Sequence, residues 1–120
     1  MSKHHRREFI IAYDIADPRR LTRIHRMLKR LAMPLQYSVF YAQMSDHQRD
    51  KLAKLLENEI QPKEDDIRIY PLPRHYNVQY LGEDPMLEGL YPDDLNGDWE
   101  AAVQTVLDKA ERRQQRQERD

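Results

Sequence analysis

The chain has no cysteine, and this absence excludes several classes of chemistry. A disulfide scaffold, a thiolate zinc site and cysteine catalysis all require thiols. The sequence also lacks an apolar run approaching about 18 residues, so we expect no membrane span. Its charged beginning, residues 1–9, has no apolar core of the kind that a signal peptide carries, so we expect no leader. These features favour a cytoplasmic protein without a membrane partner.

Lysine and arginine are absent from residues 83–108, which carry eight Asp/Glu, although the net charge of the chain is only −1. Residues 1–33 have the opposite bias, with nine Lys/Arg against three Asp/Glu. A basic surface is what binding to phosphates requires, so this region favours a nucleic-acid partner. The alternative is that an acidic region simply balances a basic body. A chain of 120 residues predicts one domain with a modest core, which association commonly supplements.

Apolar periodicity predicts the first two elements. Residues 8–14 have the pattern of a short buried strand, which ends on the charged Asp14. Asp17 is typical of a helix N-cap and Pro18 of a first helical position. The helix that follows has an apolar stripe and an arginine face, and Pro34 ends it. The arginine face contains Arg19, Arg23, Arg26 and Arg30.

The middle of the chain alternates strand and helix patterns. Residues 35–44 predict a second strand, and Ser45 with Gln48 has capping-box spacing at the start of a second helix. Residues 66–72 predict a third strand and residues 77–82 a shorter one. The order favours an α+β sandwich with helices on one face of a mostly antiparallel sheet. This is the ferredoxin-like βαββαβ arrangement, with an additional C-terminal strand and helix.

The ferredoxin-like domain is assigned to residues 1–82, and residues 83–120 are predicted to form a loop, a helix and a charged tail. Asp98 is the candidate cap of that helix. Residues 111–120 are almost wholly charged or amide, so we expect them to be frayed or disordered. Apolar side chains at helical spacing predict that the helix docks on another surface; they are Trp99, Val103, Val106, Leu107 and Ala110.

Three motifs on these elements resemble the signatures of the CRISPR-associated protein 2 (Cas-two) family. Residues 13–15 (Tyr-Asp-Ile), with the Asp-Pro and arginines that follow, resemble its opening. Residues 36–40 (Gln-Tyr-Ser-Val-Phe) resemble its second signature, and residues 65–72 its third. The motifs stand in the right order and together span residues 9–82, about two-thirds of the chain.

This resemblance implies a fold, an activity and partners. Members have the ferredoxin-like fold and form a two-fold homodimer, in which the last strand joins the sheet of the partner. They are described as Mg²⁺- or Mn²⁺-dependent endonucleases acting on RNA or on double-stranded DNA. They also bridge two dimers of the CRISPR integrase (Cas-one) in the complex that captures new spacers. The extension at residues 83–120 lies beyond the family core.

The resemblance also assigns the site. The family's metal-binding acid matches Asp14. The residues matching catalytic positions are Asp14, Tyr13, Ser38 and Phe40, and the candidate nucleic-acid contacts are Arg19, Arg20, Arg23 and Arg26. The arginine spacing departs from the family pattern, so the second functional arginine is not assigned.

One carboxylate per chain makes a poor metal site. Mg²⁺ prefers octahedral oxygen coordination and usually takes one or two protein carboxylates while keeping several waters. A two-fold axis would bring two copies of Asp14 together, so the predicted site is shared between subunits. The alternative is that Asp14 is an ordinary turn residue at the end of a strand.

Two functions follow from these assignments. The first is a homodimeric, metal-dependent endonuclease that takes part in spacer acquisition with the integrase. The second is a non-catalytic dimeric scaffold that bridges integrase dimers and binds prespacer DNA. A related toxin ribonuclease without a CRISPR role is a third possibility, and fold does not separate the three.

Overall fold

The computed structural model describes residues 6–77, 79, 81–82 and 99–119, without the side chains of residues 99, 100, 118 and 119. This part of the chain forms four strands and three helices in the order βαββαβα. The strands are β1 (Arg6–Asp14), β2 (Met33–Gln36), β3 (Val39–Ser45) and β4 (Asp66–Pro71). The helices are α1 (Pro18–Leu31), α2 (Asp46–Glu57) and α3 (Trp99–Arg119).

The sheet has the strand order β2-β3-β1-β4, and every neighbouring pair is antiparallel. This order, with helices crossing between β1 and β2 and between β3 and β4, confirms the predicted ferredoxin-like fold. Pro34 and Pro71 lie on the two edge strands, where a residue that cannot donate to a ladder is tolerated.

The prediction of a single strand at residues 35–44 is wrong. The chain forms a hairpin there, with Tyr37 and Ser38 in the turn between β2 and β3. The Tyr37 side chain is 98% exposed, and the pairing register shifts between Pro34 and Gln36. The turn contains none of the glycine or asparagine residues that usually mark a hairpin, so the alternating pattern conceals it.

Both predicted helix starts are confirmed. The Asp17 carboxylate accepts hydrogen bonds from the backbone N–H groups of Arg19 and Arg20, each at 3.0 Å. At the start of α2, the Ser45 hydroxyl accepts from the Gln48 N–H at 3.1 Å, and the Gln48 side chain accepts from the Ser45 N–H at 3.1 Å. These bonds satisfy backbone donors that the first turn of a helix leaves free.

All three helices pack on one face of the sheet. The core joins inward side chains of β1 and β3 to apolar stripes on each helix. Helix α3 contacts α1, α2 and β3, so it lies between the other two helices. Its Val103 and Leu107 are fully buried, which confirms that the C-terminal helix docks on an apolar surface. None of the described helices is long and apolar enough to cross a membrane.

The predicted fraying of residues 111–120 is wrong for the described part of that segment, because α3 continues to Arg119. Gln114 holds this end of the helix in place. Its side-chain amide is buried, donates to the Leu55 carbonyl at 2.7 Å and accepts from Asn58 Nδ2 at 3.0 Å. A polar composition is compatible with a docked helix when amide groups find such partners.

Two further predictions fall wholly or partly outside the described residues. Asp98, the candidate cap of α3, is one of them. The strand predicted at residues 77–82 is the other, since residues 78 and 80 are not among the residues that the structure describes. Its described residues, Asn77, Gln79, Leu81 and Gly82, have no strand pairing within the single chain.

Candidate metal and nucleic-acid site

Asp14 is the last residue of β1, and its side chain is exposed. The residues before it alternate: Phe9, Ile11 and Tyr13 point into the core beneath the helices. Because successive side chains of a strand point to opposite faces, Asp14 lies on the outer face, away from the helices. Among the residues that the structure describes, the Asp14 carboxylate has no hydrogen-bond or ion-pair partner.

The nearest carboxylate in register is Asp66, the first residue of β4, which pairs directly with Asp14. Residues directly opposite each other in an antiparallel pair share a face. The Asp66 carboxylate, however, accepts a hydrogen bond from Arg68 Nε at 3.0 Å, and this ion pair offsets its charge. Asp14 is therefore the carboxylate at this edge that has no cation beside it within the described part of the chain.

A metal ion needs more oxygen ligands than one chain supplies here. The described residues contain no group of three or more His, Asp or Glu side chains placed to hold an ion. A hard-oxygen ion such as Mg²⁺ can be bound by one or two carboxylates with waters completing its shell. The exposed Asp14 carboxylate fits that requirement as half of a site and does not fit a closed, single-chain cage.

Tyr13 and Phe40, the other predicted catalytic residues with rings, lie on the opposite face from Asp14. Phe40 is fully buried and Tyr13 is 5% exposed. Their rings are stacked with centroids 6.2 Å apart, and His25 meets the edge of Phe40 at 5.3 Å. The structure therefore separates these aromatic rings from the candidate metal ligand and places them in the core.

The Tyr13 hydroxyl connects the core to the β2–β3 turn. It donates to the Tyr37 carbonyl at 3.2 Å and lies 2.9 Å from His25 Nδ1. Burial raises the pKa of this phenol, so it remains a neutral hydrogen-bonding group. Ser38 contributes its carbonyl, which accepts from the Tyr13 N–H at 3.0 Å, while its side chain is half-buried. Together these bonds fix the turn against the end of β1.

Arg20 is engaged within the protein. Its Nε lies 2.7 Å from Asp65 Oδ2 and its Nη2 lies 2.9 Å from Glu64 Oε2. The Asp65 side chain has no exposed surface and also accepts backbone N–H bonds from Ala16 at 2.9 Å and Gln61 at 2.8 Å. Its Nε and Nη2 are both engaged with carboxylates, so Arg20 braces the start of α1.

This ion pair predicts an acid-sensitive fold. The hydrogen bond from Arg20 holds the pKa of Asp65 well below its usual value of about 3.9. A carboxyl whose pKa is lowered by folding stabilises the native state at neutral pH, and that contribution is lost as the pH falls below about 4. We expect Asp65→Asn to lower the thermal midpoint at neutral pH and to flatten its decline towards acid.

The matched control is Asp66→Asn, which removes the neighbouring carboxyl from an exposed position. We expect it to retain the wild-type dependence of the midpoint on pH. Thermal unfolding followed by circular dichroism at neutral and acid pH makes the comparison. If the thermal midpoints of wild type and Asp65→Asn declined equally with falling pH, the role assigned to the buried carboxylate would be contradicted.

The remaining predicted arginines are exposed. Arg19 lies with Pro18 and Thr22 around a shallow depression at the start of α1. Arg23 is 54% exposed and lies 3.6 Å from Glu59. Arg26 is exposed further along the same helix face. These three side chains are available for phosphate contacts, whereas the Arg20 side chain is 14% exposed and engaged with Asp65 and Glu64.

Sequence reasoning missed the role of Asp65, although it lies within the third motif. Its signal lies in the strand register, which the fold reveals: antiparallel β1 and β4 bring residue 66 beside residue 14, and therefore bring residue 65 close to the start of α1. His25 was also missed as the partner of Tyr13. Helical spacing places His25 beside the arginine face, but it does not show that the ring turns towards a buried phenol.

Several known proteins are similar to this chain in sequence. Residues 8–79 match the family model for CRISPR associated protein Cas2. CRISPR-associated endoribonuclease Cas2 1 of Nitrosomonas europaea is 41% identical over 92 residues, covering 77% of this chain and 88% of that protein. CRISPR-associated endoribonuclease Cas2 2 of Thermodesulfovibrio yellowstonii is 38% identical over 74 residues, covering 62% of this chain and 81% of that protein.

A solved structure gives the same result for the fold. The crystal structure of Streptococcus pyogenes Cas2 at pH 6.5 superimposes with a TM-score of 0.56 at 24% identity, covering 62% of this chain and 99% of that one. Helix α3 lies beyond the residues that the family model matches. The strand order, the three motifs and these similarities together show that the chain belongs to the CRISPR-associated protein Cas2 family.

Proposed function

We propose that this protein is a metal-dependent endonuclease that cleaves RNA, with double-stranded DNA as its second candidate substrate. The observation that carries the proposal is the exposed Asp14 carboxylate at the end of β1, which has no partner among the described residues. The names of two relatives, both endoribonucleases, support RNA as the substrate.

The proposed active form is a homodimer in which two Asp14 carboxylates hold one Mg²⁺ or Mn²⁺ ion. When bound, the ion supplies a positive charge that polarises a water molecule and offsets charge on the phosphate in the transition state. The chain's own contribution is to present Asp14 on the face of the sheet that the helices leave uncovered. The exposed arginines Arg19, Arg23 and Arg26 hold the substrate backbone near it through charge-assisted contacts.

Metal dependence is the first test. Purified protein is incubated with a labelled single-stranded RNA and with a DNA duplex, in Mg²⁺, in Mn²⁺ and in chelator. We expect internal cleavage of the RNA with either metal, loss of cleavage in chelator, and recovery when Mg²⁺ is restored in excess. Cleavage that persists unchanged in chelator would contradict the metal site, and intact substrate in both metals would contradict the nuclease.

A second candidate function is the scaffold that positions integrase subunits on prespacer DNA. The exposed arginine face of α1 favours it as much as it favours cleavage, because backbone contacts serve both roles. Spacer acquisition in cells separates the two proposals. A scaffold predicts that Asp14→Ala leaves acquisition and complex assembly intact, whereas a required nuclease predicts loss of acquisition with the complex still assembled.

A further inference from the structure

We propose that a groove between α1 and α3 binds the phosphate backbone of a nucleic acid, and that it continues the arginine face of α1 away from Asp14. This inference rests on the proposed action on nucleic acid and adds a surface that α3 creates. The groove is named here the α1–α3 groove. Among the described residues, its charged lining consists of one carboxylate, Glu59, and five cations: Arg23, Arg26, Arg30, Lys109 and Arg113.

The two edges of α3 carry opposite charge. On the edge towards α2, Asp108 lies 2.8 Å and Glu111 lies 3.6 Å from Lys51. On the edge towards α1, Lys109 and Arg113 lie four residues apart and line the groove. Asp108 and Glu111 are therefore matched with a cation, whereas Lys109 and Arg113 form no ion pair within the described part of the chain.

Folding brings these basic side chains of α3 next to the arginines of α1. Like charges near each other are unfavourable, and the effect is only partly relieved by screening at a surface. Among the described residues of the groove, Glu59 is the carboxylate that offsets this positive charge. It lies 3.6 Å from Arg23, and its Oε1 accepts a hydrogen bond from Gln114 Nε2 at 3.2 Å. The excess positive charge favours an anionic ligand, and a polyanion satisfies several of these cations at once.

The small volume of the groove favours contacts with phosphates over contacts with bases. Its volume is about 70 Å³, well below the roughly 300 to 1,000 Å³ of pockets that enclose whole small molecules. A groove of this size accepts phosphate oxygens at its surface and does not enclose a nucleotide. We therefore expect binding with little sequence preference, because phosphate contacts position a nucleic acid without reading its bases.

The arginines of α1 from Arg19 to Arg30 form a basic track that leads into the α1–α3 groove, and its length is sufficient for several phosphates. Arg19 and Arg30 lie eleven positions apart on α1, which corresponds to about 16 Å along a helix axis. That distance equals the rise of roughly five nucleotides in a duplex strand. The track begins next to the end of β1, where Asp14 lies, and continues onto the helical side of the protein.

The test measures binding without cleavage. The Asp14→Asn protein in chelator provides the reference, so a failure of the proposed nuclease activity does not affect the result. The groove variant adds Arg30→Gln, Lys109→Gln and Arg113→Gln. The control variant adds Lys54→Gln, Lys63→Gln and Arg74→Gln instead, removing the same charge from exposed positions outside the groove. Circular dichroism verifies that each variant is folded.

Fluorescence anisotropy with a labelled DNA duplex and a labelled single-stranded RNA gives the affinity between about 50 and 200 mM salt. We expect the groove variant to reduce the slope of log K against log salt by about 2 to 3 for the duplex. The control variant is expected to retain the reference slope. Equal slopes for the two variants, or no binding by the reference protein, would overturn the proposal.

A substitution that removes a negative charge from the groove, and not a positive one, provides an independent check. Glu59→Gln removes the carboxylate that the described lining of the α1–α3 groove contains, and it preserves the size of the side chain and its capacity to accept a hydrogen bond. We expect it to tighten duplex binding several-fold at low salt, since one more cation becomes available to phosphate. Unchanged or weaker binding by this folded variant would count against the groove.

Discussion

Replacing Asp14 with asparagine is expected to reduce metal-dependent RNA cleavage by at least about 100-fold, comparable to the loss of one preorganised electrostatic contact in other enzymes. Asparagine has nearly the same size but no charge, and the side chain is exposed at the end of β1. The change should therefore leave the fold intact. Initial rates of RNA cleavage in Mg²⁺, with the thermal midpoint as a check on folding, give the measurement.

Asp17→Asn is the matched control. Asp17 lies three positions further on and caps α1 through two backbone N–H bonds at 3.0 Å. Asparagine caps helices about as well as aspartate, so this variant removes one charge near the site and keeps the structure. We expect near-wild-type cleavage. A similar loss in both variants would point to general electrostatics and not to a metal ligand.

The proposed shared site makes a further distinction possible. In the proposed dimer, wild-type and Asp14→Asn chains that are mixed and re-equilibrated would form both homodimers and heterodimers. If one ion needs a carboxylate from each subunit, activity follows the square of the wild-type fraction. If each chain has its own site, activity follows that fraction linearly, and a linear result would contradict the shared ion.

The largest expected effect on stability comes from Phe40→Ala. Phe40 is fully buried, stacks against Tyr13 and contacts the edge of His25. Removing a buried phenylalanine ring typically lowers the free energy of unfolding by about 3 to 5 kcal/mol, because apolar contacts are lost and a cavity remains. A domain has only about 5 to 15 kcal/mol in total. Urea unfolding should show a lower midpoint with an unchanged slope.

Tyr37→Ala is the control for that experiment, because Tyr37 lies three positions away and its side chain is 98% exposed. Its carbonyl, which accepts from the Tyr13 hydroxyl, is retained in alanine. We expect a change within about 0.5 kcal/mol, as for other surface substitutions. If Phe40→Ala unfolded at the wild-type urea concentration yet lost cleavage, the ring would belong to the active site and not to the core.

The sequence predicts the fold well where local signals are strong. Asp17 before Pro18, and Ser45 before Gln48, mark helix starts through side-chain chemistry that operates within a few residues. The hairpin between β2 and β3 was missed because its turn residues, Tyr37 and Ser38, carry no conformational signature. The end of α3 was missed because its anchoring bonds, from Gln114 to α2, connect residues far apart in the chain.

The candidate site was less predictable than the fold. Alternation along β1 is enough to separate the face of Asp14 from that of Tyr13, yet the motif places the two residues side by side. Arg20 was grouped with the other arginines because helix periodicity does not reveal the acid that occupies its guanidinium. That acid comes from 45 positions away, and such a contact depends on the tertiary fold.

The brace around Arg20 and Asp65 has a consequence for any ligand that Asp14 receives. Asp65 holds the backbone of residue 16 on one side of β1's end and that of residue 61 before β4 on the other. The strand end is thus fixed from both directions when the protein folds. The backbone at the end of β1 therefore loses its conformational entropy during folding, and not when an ion or a second subunit binds. Asp14 is in this sense a carboxylate presented on a preorganised backbone.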